Sequence, residues 1–146
     1  TSDTTSRVAL QIEYEPEVLE QCYGMRLLLQ PLAENSIYHS IKPAAWNCHI
    51  LIRILLQDTD VIIDVEDDGI GFEEGKMAEI NQKLADHVVV DKGGYGVFNV
   101  NERIHLYFGP DYGLTYSMHD GKTIATIRVP NIDQKEAQLY DQYSRN

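Results

Sequence analysis

The rhythm of apolar positions changes several times along this chain, and each change marks an element. Val8, Leu10, Ile12 and Tyr14 alternate with polar neighbours, which predicts a strand. Pro16 opens a short acidic link. From Met25 to about Ile41 the spacing lengthens. Leu28, Leu32, Asn35 and His39 recur every three or four residues, the period of one helix face. Pro31 lies inside that pattern and predicts a bend or a late start to regular helix; Lys42-Pro43 closes it. Cys48 to Leu56 and Val61 to Asp67 read as two strands joined by a Gln-Asp-Thr-Asp turn. Glu73 to Ala85 reads as a second helix carrying Met77, Ile80 and Leu84. Residues 86–93 show no helical pattern, end in glycine, and predict a mobile loop. A third helix is predicted from Gly96 to about Phe108, with Val97, Val100, Ile104 and Tyr107 inward and Gly109-Pro110 as its stop. Leu114 to Met118 and Thr123 to Val129 predict a hairpin around His119-Asp120-Gly121-Lys122. Strands paired mostly as hairpins, with helices between them, predict an α+β two-layer sandwich: a mixed, mostly antiparallel sheet packed on about three helices. Residues 1–130 form the expected domain, and residues 131–146 a polar C-terminal tail.

Composition narrows the function more than the fold. The 146 residues, with an ordinary apolar fraction, fit one globular domain. The net charge of −11 and the absence of a basic cluster argue against nucleic acid or an anionic membrane as partner. A phosphate ligand would have to be held by backbone amides and a metal. Two cysteines, Cys22 and Cys48, lack metal-ligand spacing and point to a reducing compartment. No signal peptide or membrane-spanning run is visible. The first residue is Thr1, not Met, and the chain is expected to be a piece of something longer.

Three clusters carry candidate chemistry. In Val65-Glu66-Asp67-Asp68-Gly69-Ile70-Gly71-Phe72, Asp67 is in phase with Val61, Ile63 and Val65, which places a carboxylate at the end of the inward face. A buried carboxylate needs a partner, and Gly69 and Gly71 let backbone approach closely. The plain alternative is an acidic turn. On the first helix, Asn35 shares the face of Leu28 and Leu32 and offers an amide oxygen suited to Mg²⁺, while neighbouring Glu34 could serve as general base. The alternative is a polar helix face with one satisfied asparagine. Near this cluster only His39 supplies a basic group. In Gly93-Gly94-Tyr95-Gly96-Val97-Phe98-Asn99-Val100, a loop opens a helix whose first amides can bind phosphate. No strand precedes it and no Gly-Lys-Ser/Thr ending follows, so it is neither a dinucleotide fingerprint nor a Walker loop. A flexible link is the alternative.

The order of these clusters resembles the GHKL ATPase superfamily, whose members share the Bergerat fold. Leu29-Gln30-Pro31-Leu32-Ala33-Glu34-Asn35-Ser36-Ile37-Tyr38-His39 is similar to the N box of LytS/YesM-type sensor histidine kinases. Gly94 to Ile104, followed by Leu106-Tyr107-Phe108-Gly109, is similar to their second glycine box and its helix. The resemblance runs from about Val8 to Pro130. It implies the catalytic ATP-binding domain of a two-component sensor histidine kinase, a protein-histidine kinase that uses ATP and Mg²⁺. Under it, Asp67 would accept a hydrogen bond from the adenine amino group, with Gly69 and Gly71 against the nucleotide and Thr123 near the base. Asn35 would coordinate Mg²⁺, Glu34 would assist phosphoryl transfer, and Tyr38 and His39 would lie near the phosphates. Gly94 and Gly96, with the amides of Tyr95 and Val97, would hold the phosphates. Residues from about Asn81 to Gly93 would form the ATP lid. The implied partners are ATP, a dimerisation and phosphoacceptor domain outside this fragment, and a response regulator; the implied place is cytoplasmic, in a membrane-anchored bacterial sensor. None of the five histidines is expected to be the phosphoacceptor, and His105 reads as a surface residue. Two positions depart from the family: Tyr38 stands where Lys is common, and Lys122 where Gly usually precedes the hairpin Thr. They leave open a docking module with weak or no ATP turnover. A serine kinase of the anti-sigma type is a third reading.

Overall fold

The computed structural model describes residues 8–14, 25–88 and 96–131. Five strands form one sheet in the order β1-β2-β3-β5-β4. They are β1 (Val8–Tyr14), β2 (Cys48–Gln57), β3 (Asp60–Asp67), β4 (Gly113–His119) and β5 (Lys122–Pro130). Among the described residues three α-helices accompany them: α1 (Met25–Ser36), α2 (Lys76–Ala85) and α3 (Gly96–Phe108). The expected mixed, mostly antiparallel sandwich is what forms. β1 runs parallel to β2, and the other neighbouring pairs are antiparallel. The parallel pair follows from the connection between them, which contains α1; a crossover of that length returns the chain in the same direction.

Alternation along each strand sorts its side chains. Ile50, Ile52 and Ile54 of β2, Val61, Ile63 and Val65 of β3, and Ala125, Ile127 and Val129 of β5 are buried on one face. Leu32, Ile80, Leu84, Val97 and Ile104 of the helices complete that core. The other face mixes apolar and polar positions, and its polar ones pair across strands: Arg53 meets Glu66 at 3.1 Å and Asp64 at 3.8 Å, and Thr126 bonds Asp64 at 2.7 Å. The alternating strand β1 pairs Leu10 with Ile50 and Ile12 with Ile52, yet these two side chains stay 61% and 52% exposed. Periodicity identified their face but not whether anything described covers it.

Two helix boundaries and one buried face differ from expectation. The first helix does not stay α-helical to Ile41: after Ser36 it widens into a π-helical turn, Ile37–Ile41, closed by Lys42 N donating to Ile37 O at 2.8 Å. Pro31 lies within α1 without ending it. α2 starts at Lys76 rather than Glu73, because Gly75 takes a left-handed conformation at φ 81° just before it. α3 buries Phe98 and Asn101 as well as Val97, Val100 and Ile104, a wider stripe than expected, and Tyr107 is only partly buried. Asn101 explains part of that width. Its Nδ2 donates to Leu84 O at 2.9 Å and its Oδ1 accepts from Leu114 N at 2.9 Å, so it ties α2 to the edge strand β4. The β4–β5 hairpin turns through Asp120 and Gly121 with φ of 50° and 76°, as a two-residue turn of the I′ type requires. No helix among the described residues is long and apolar enough to cross a membrane. The expected tail falls outside the described residues from 132 onward.

Candidate functional site

β3 delivers Asp67 to the end of the core face, as its phase predicts, and the residue is only 2% exposed. Its partners come from the π-helical turn and the glycine turn. The Ser40 hydroxyl donates to Asp67 Oδ1, and Gly69 N donates to the same oxygen at 3.0 Å. Burial raises the carboxyl above its ordinary value; hydrogen bonds from Ser40, Gly69 and Ser36 act in the opposite direction without overcoming it.

Gly69 and Gly71 are sewn to the same serine. Ile70 N donates to Ser40 O at 2.8 Å, and Gly71 N donates to Ser40 Oγ at 3.0 Å. A Cβ on Gly69 would stand 2.3 Å from Ser40 O, so only glycine fits. Gly71 has φ 72°, and a Cβ there would come within 3.0 Å of Thr123 Oγ1. Thr123 lies opposite Asp67 in the β3–β5 ladder, is 4% exposed, and has no hydrogen-bond partner for its hydroxyl among the described residues. A buried hydroxyl without a partner is costly unless something else satisfies it.

In front of this turn lies a cavity of about 170 Å³, whose walls include Asn35, His39, Ile70, Gly71, Lys76, Val97 and Tyr116. Asp67 and Thr123 do not line it; they stand behind Gly71. Asn35 projects into it from α1, Nδ2 donating to Tyr116 Oη at 3.0 Å and Oδ1 buried without a partner among the described residues. Tyr116 is held on both sides. Its backbone N donates to Asn81 Oδ1 at 2.8 Å, its carbonyl accepts from Asn81 Nδ2 at 2.9 Å, and its ring meets Phe72 edge-on at 5.1 Å. Burial first, and the charge of Asp67 second, push the Tyr116 phenol upward, so it stays a neutral donor and acceptor. Asn81 therefore belongs to the packed body, with Ile80 and Leu84 buried around it. This corrects the lid expected from Asn81; of the expected stretch, residues 89–93 lie outside the described ones.

The remaining expected residues separate into groups. Val97 lines the cavity at the start of α3, and Gly96 packs on α1, where a Cβ would meet Pro31 Cβ at 3.2 Å. Gly94 and Tyr95 lie outside the described residues. His39 lines the cavity from the π-helical turn. Glu34 is exposed, accepting from Gln30 Nε2 at 3.0 Å, and is not on the cavity wall. Tyr38 is 61% exposed, with Lys42 Nζ 5.4 Å above its ring, and is likewise off the wall. Lys122 points from β5 to the other face of the sheet, 3.8 Å from Glu66, as alternation after Thr123 demands.

Four participants were not foreseen. Ser36 and Ser40 follow Asn35 and His39 by one residue, but Ser40 reaches Asp67 from within the π-helical turn, which helical spacing does not foresee. Tyr116 carried a signal, since it shares the inward phase of Leu114 on β4. Lys76 carried none. It brings a basic side chain from outside the Leu29–His39 segment to the cavity that His39 also lines.

Residues 23–133 match the family of histidine kinase-, DNA gyrase B- and HSP90-like ATPases. The chain is 34% identical over 125 residues to the sensor histidine kinase YesM of Bacillus subtilis, covering 85% of this chain and 20% of that protein. It is 34% identical over 103 residues to the sensor protein LytS of Oceanobacillus iheyensis, covering 70% and 17%. The chain thus spans about a fifth of the length of these curated relatives. Among solved structures, the catalytic domain of histidine kinase ThkA superposes with a TM-score of 0.64 at 17% identity, over 89% of this chain and 83% of that one. A second ThkA structure, in complex with the response regulator protein TrrA, superposes at 0.57 and 14% identity, over 90% and 36%. The solved structures establish the fold, and the match over most of the sequence establishes the lineage: this chain belongs to the histidine kinase-, DNA gyrase B- and HSP90-like ATPase family.

Proposed function

We propose that the cavity binds Mg-ATP, and that the whole protein moves its γ-phosphoryl group to a histidine on a dimerisation domain and from there to an aspartate of a response regulator. The observation that carries this reading is the unpartnered amide oxygen of Asn35, buried in a cavity that Gly71 and the start of α3 also wall. An oxygen placed so fits a hard, oxygen-seeking cation. Bound there, Mg²⁺ would neutralise charge on the phosphates. Tyr116 fixes the Asn35 side chain by accepting from its Nδ2, which leaves Oδ1 as the free ligand atom. The first amides of α3 and the Lys76 ammonium supply positive potential for phosphate. Asp67, ionised, takes the adenine amino group as donor, and the idle hydroxyl of Thr123 serves the same end of the ligand. The cavity is smaller than usual nucleotide-sized pockets, about 300–1,000 Å³, so the nucleotide extends beyond it. Glu34, exposed beside Asn35, would take the proton of an acceptor imidazole arriving from outside as the phosphorus–nitrogen bond forms and the bond to the leaving ADP breaks. Tyr38 and Lys122 both stand off the cavity, which favours a working nucleotide site over a docking module. The proposed setting is the cytoplasmic part of a membrane-anchored sensor.

Titration calorimetry with ATP, with and without Mg²⁺, tests the reading. Binding of one ATP, tightened by Mg²⁺, is expected; no binding at millimolar nucleotide would end it. Labelled ATP should leave the 146-residue chain unlabelled if, as proposed, the acceptor histidine lies on the dimerisation domain; label on the chain would contradict that placement.

A further inference from the structure

A second cluster of ligand atoms lies away from the nucleotide site. His87 follows the end of α2, and Glu102 and His105 stand three residues apart on α3, so both reach out from one face of that helix. Their candidate ligand atoms all lie within 4.8 Å of one another, and His87 Nδ1 is 3.6 Å from Glu102 Oε2. The two imidazole rings are 4.1 Å apart.

His105, expected at the surface, is half-buried. Its Nε2 is turned to the Tyr112–Gly113 backbone: a Cβ on Gly113 would fall 2.8 Å from it, and the ring hydrogen-bonds the Tyr112 backbone. The opposite nitrogen, Nδ1, is buried and has no partner among the described residues, and Glu102 Oε2 is likewise buried without a hydrogen bond among them. A histidine that donates one ring N–H to backbone while its other nitrogen presents an idle lone pair has the arrangement typical of a metal ligand. His87 adopts φ 59°, a left-handed conformation at a helix end where glycine is the usual occupant.

We infer that His87, Glu102 and His105 form a binding site for one divalent transition-metal ion of the zinc class, joining the end of α2 to α3. Two imidazole nitrogens and one carboxylate oxygen suit zinc and its neighbours, whereas Mg²⁺ prefers an all-oxygen shell. Ligand atoms around tetrahedral zinc stand about 3.3 Å apart for bonds of roughly 2.0 Å. The His87–Glu102 separation is close to that already, and the exposed His87 side chain is free to turn inward. Water completes the shell.

The test is zinc titration of the untagged chain in excess Mg²⁺, with thermal denaturation and with Co²⁺ absorption as a coordination probe. One zinc per chain, a raised melting temperature and visible cobalt bands are expected. His87→Gln, at an exposed position, should keep its circular dichroism while weakening zinc binding by about tenfold or more and removing the thermal shift. Glu102→Gln should act in the same direction. Zinc binding that His87→Gln leaves unchanged would overturn the inference, since the ion would then sit elsewhere, for example at the exposed His49–Asp68 pair. So would a wild-type chain that zinc neither binds nor stabilises. Neither outcome depends on whether the cavity at Asn35 takes nucleotide.

Discussion

Replacing Asp67 with asparagine should move affinity and stability in opposite directions. The side chain is 2% exposed and accepts from Ser40 and from Gly69 N at 3.0 Å. Asparagine keeps one oxygen for those donors, so the turn can persist. It loses the charge, and its amino group meets the adenine amino group donor to donor. A hydrogen bond to a charged group contributes about 1.5–3 kcal/mol, so ATP binding should weaken by roughly 10- to 150-fold. Stability behaves otherwise, because burial dominates the carboxyl and raises it above 3.8. Between 3.8 and that raised value the native state holds a proton the unfolded state has released. Stability from this group therefore falls as pH rises through the window, and above it the buried charge is fully penalised. Asparagine has no such penalty. At neutral pH the nucleotide-free variant should melt above the wild type, and its stability should lack the fall across the window. Calorimetry with ATP and thermal denaturation from pH 4 to 8 read both effects. Unchanged affinity would remove Asp67 from base recognition. A lower melting temperature at neutral pH would refute the claim that desolvation outweighs its hydrogen bonds.

Asn35→Ala removes the idle Oδ1, so ATP affinity in chelator should change little while the gain on adding Mg²⁺ disappears; a retained Mg²⁺ gain would place the ion elsewhere. Gly69→Ala puts a methyl 2.3 Å from the Ser40 carbonyl, a backbone atom, and should destabilise the fold by about 3 kcal/mol or more in urea denaturation. A loss below about 1 kcal/mol would mean the turn can slide away from Ser40. Lys76→Met should weaken ATP binding by several-fold and leave adenosine binding unchanged, since its half-exposed ammonium acts on phosphate for about 1 kcal/mol at most. Equal loss for both ligands would show that Lys76 shapes the cavity rather than its charge.

What could be read in the sequence was whatever short-range periodicity determines. The two-residue alternation of β3 put Asp67 on the buried face, and the helical spacing of Leu28, Leu32 and Asn35 turned the amide inward. Long-range pairings were not legible. Asn35 meets Tyr116 across 81 residues of chain, and Ser40 meets Asp67 across 27, and neither pairing has a signal until the strand order is fixed. Even then a regular helix would have misplaced Ser40, because the π-helical turn shifts residues 37–41 relative to the sheet. β1 fails in the reverse sense: alternation marks Leu10 and Ile12 as apolar, but coverage depends on what packs there, which alternation does not encode. The edge of β4 makes the same point. Asn81 and Asn101 read as ordinary polar helix residues, yet each bonds a backbone group of β4 that would otherwise be left open. Polar residues spaced along a helix therefore carry two meanings, solvent face or strand mimic, and only the neighbouring edge decides between them. The same ambiguity hid His105. On α3 it reads as an outward residue, and it becomes a ligand candidate only when the chain returns His87 to its side.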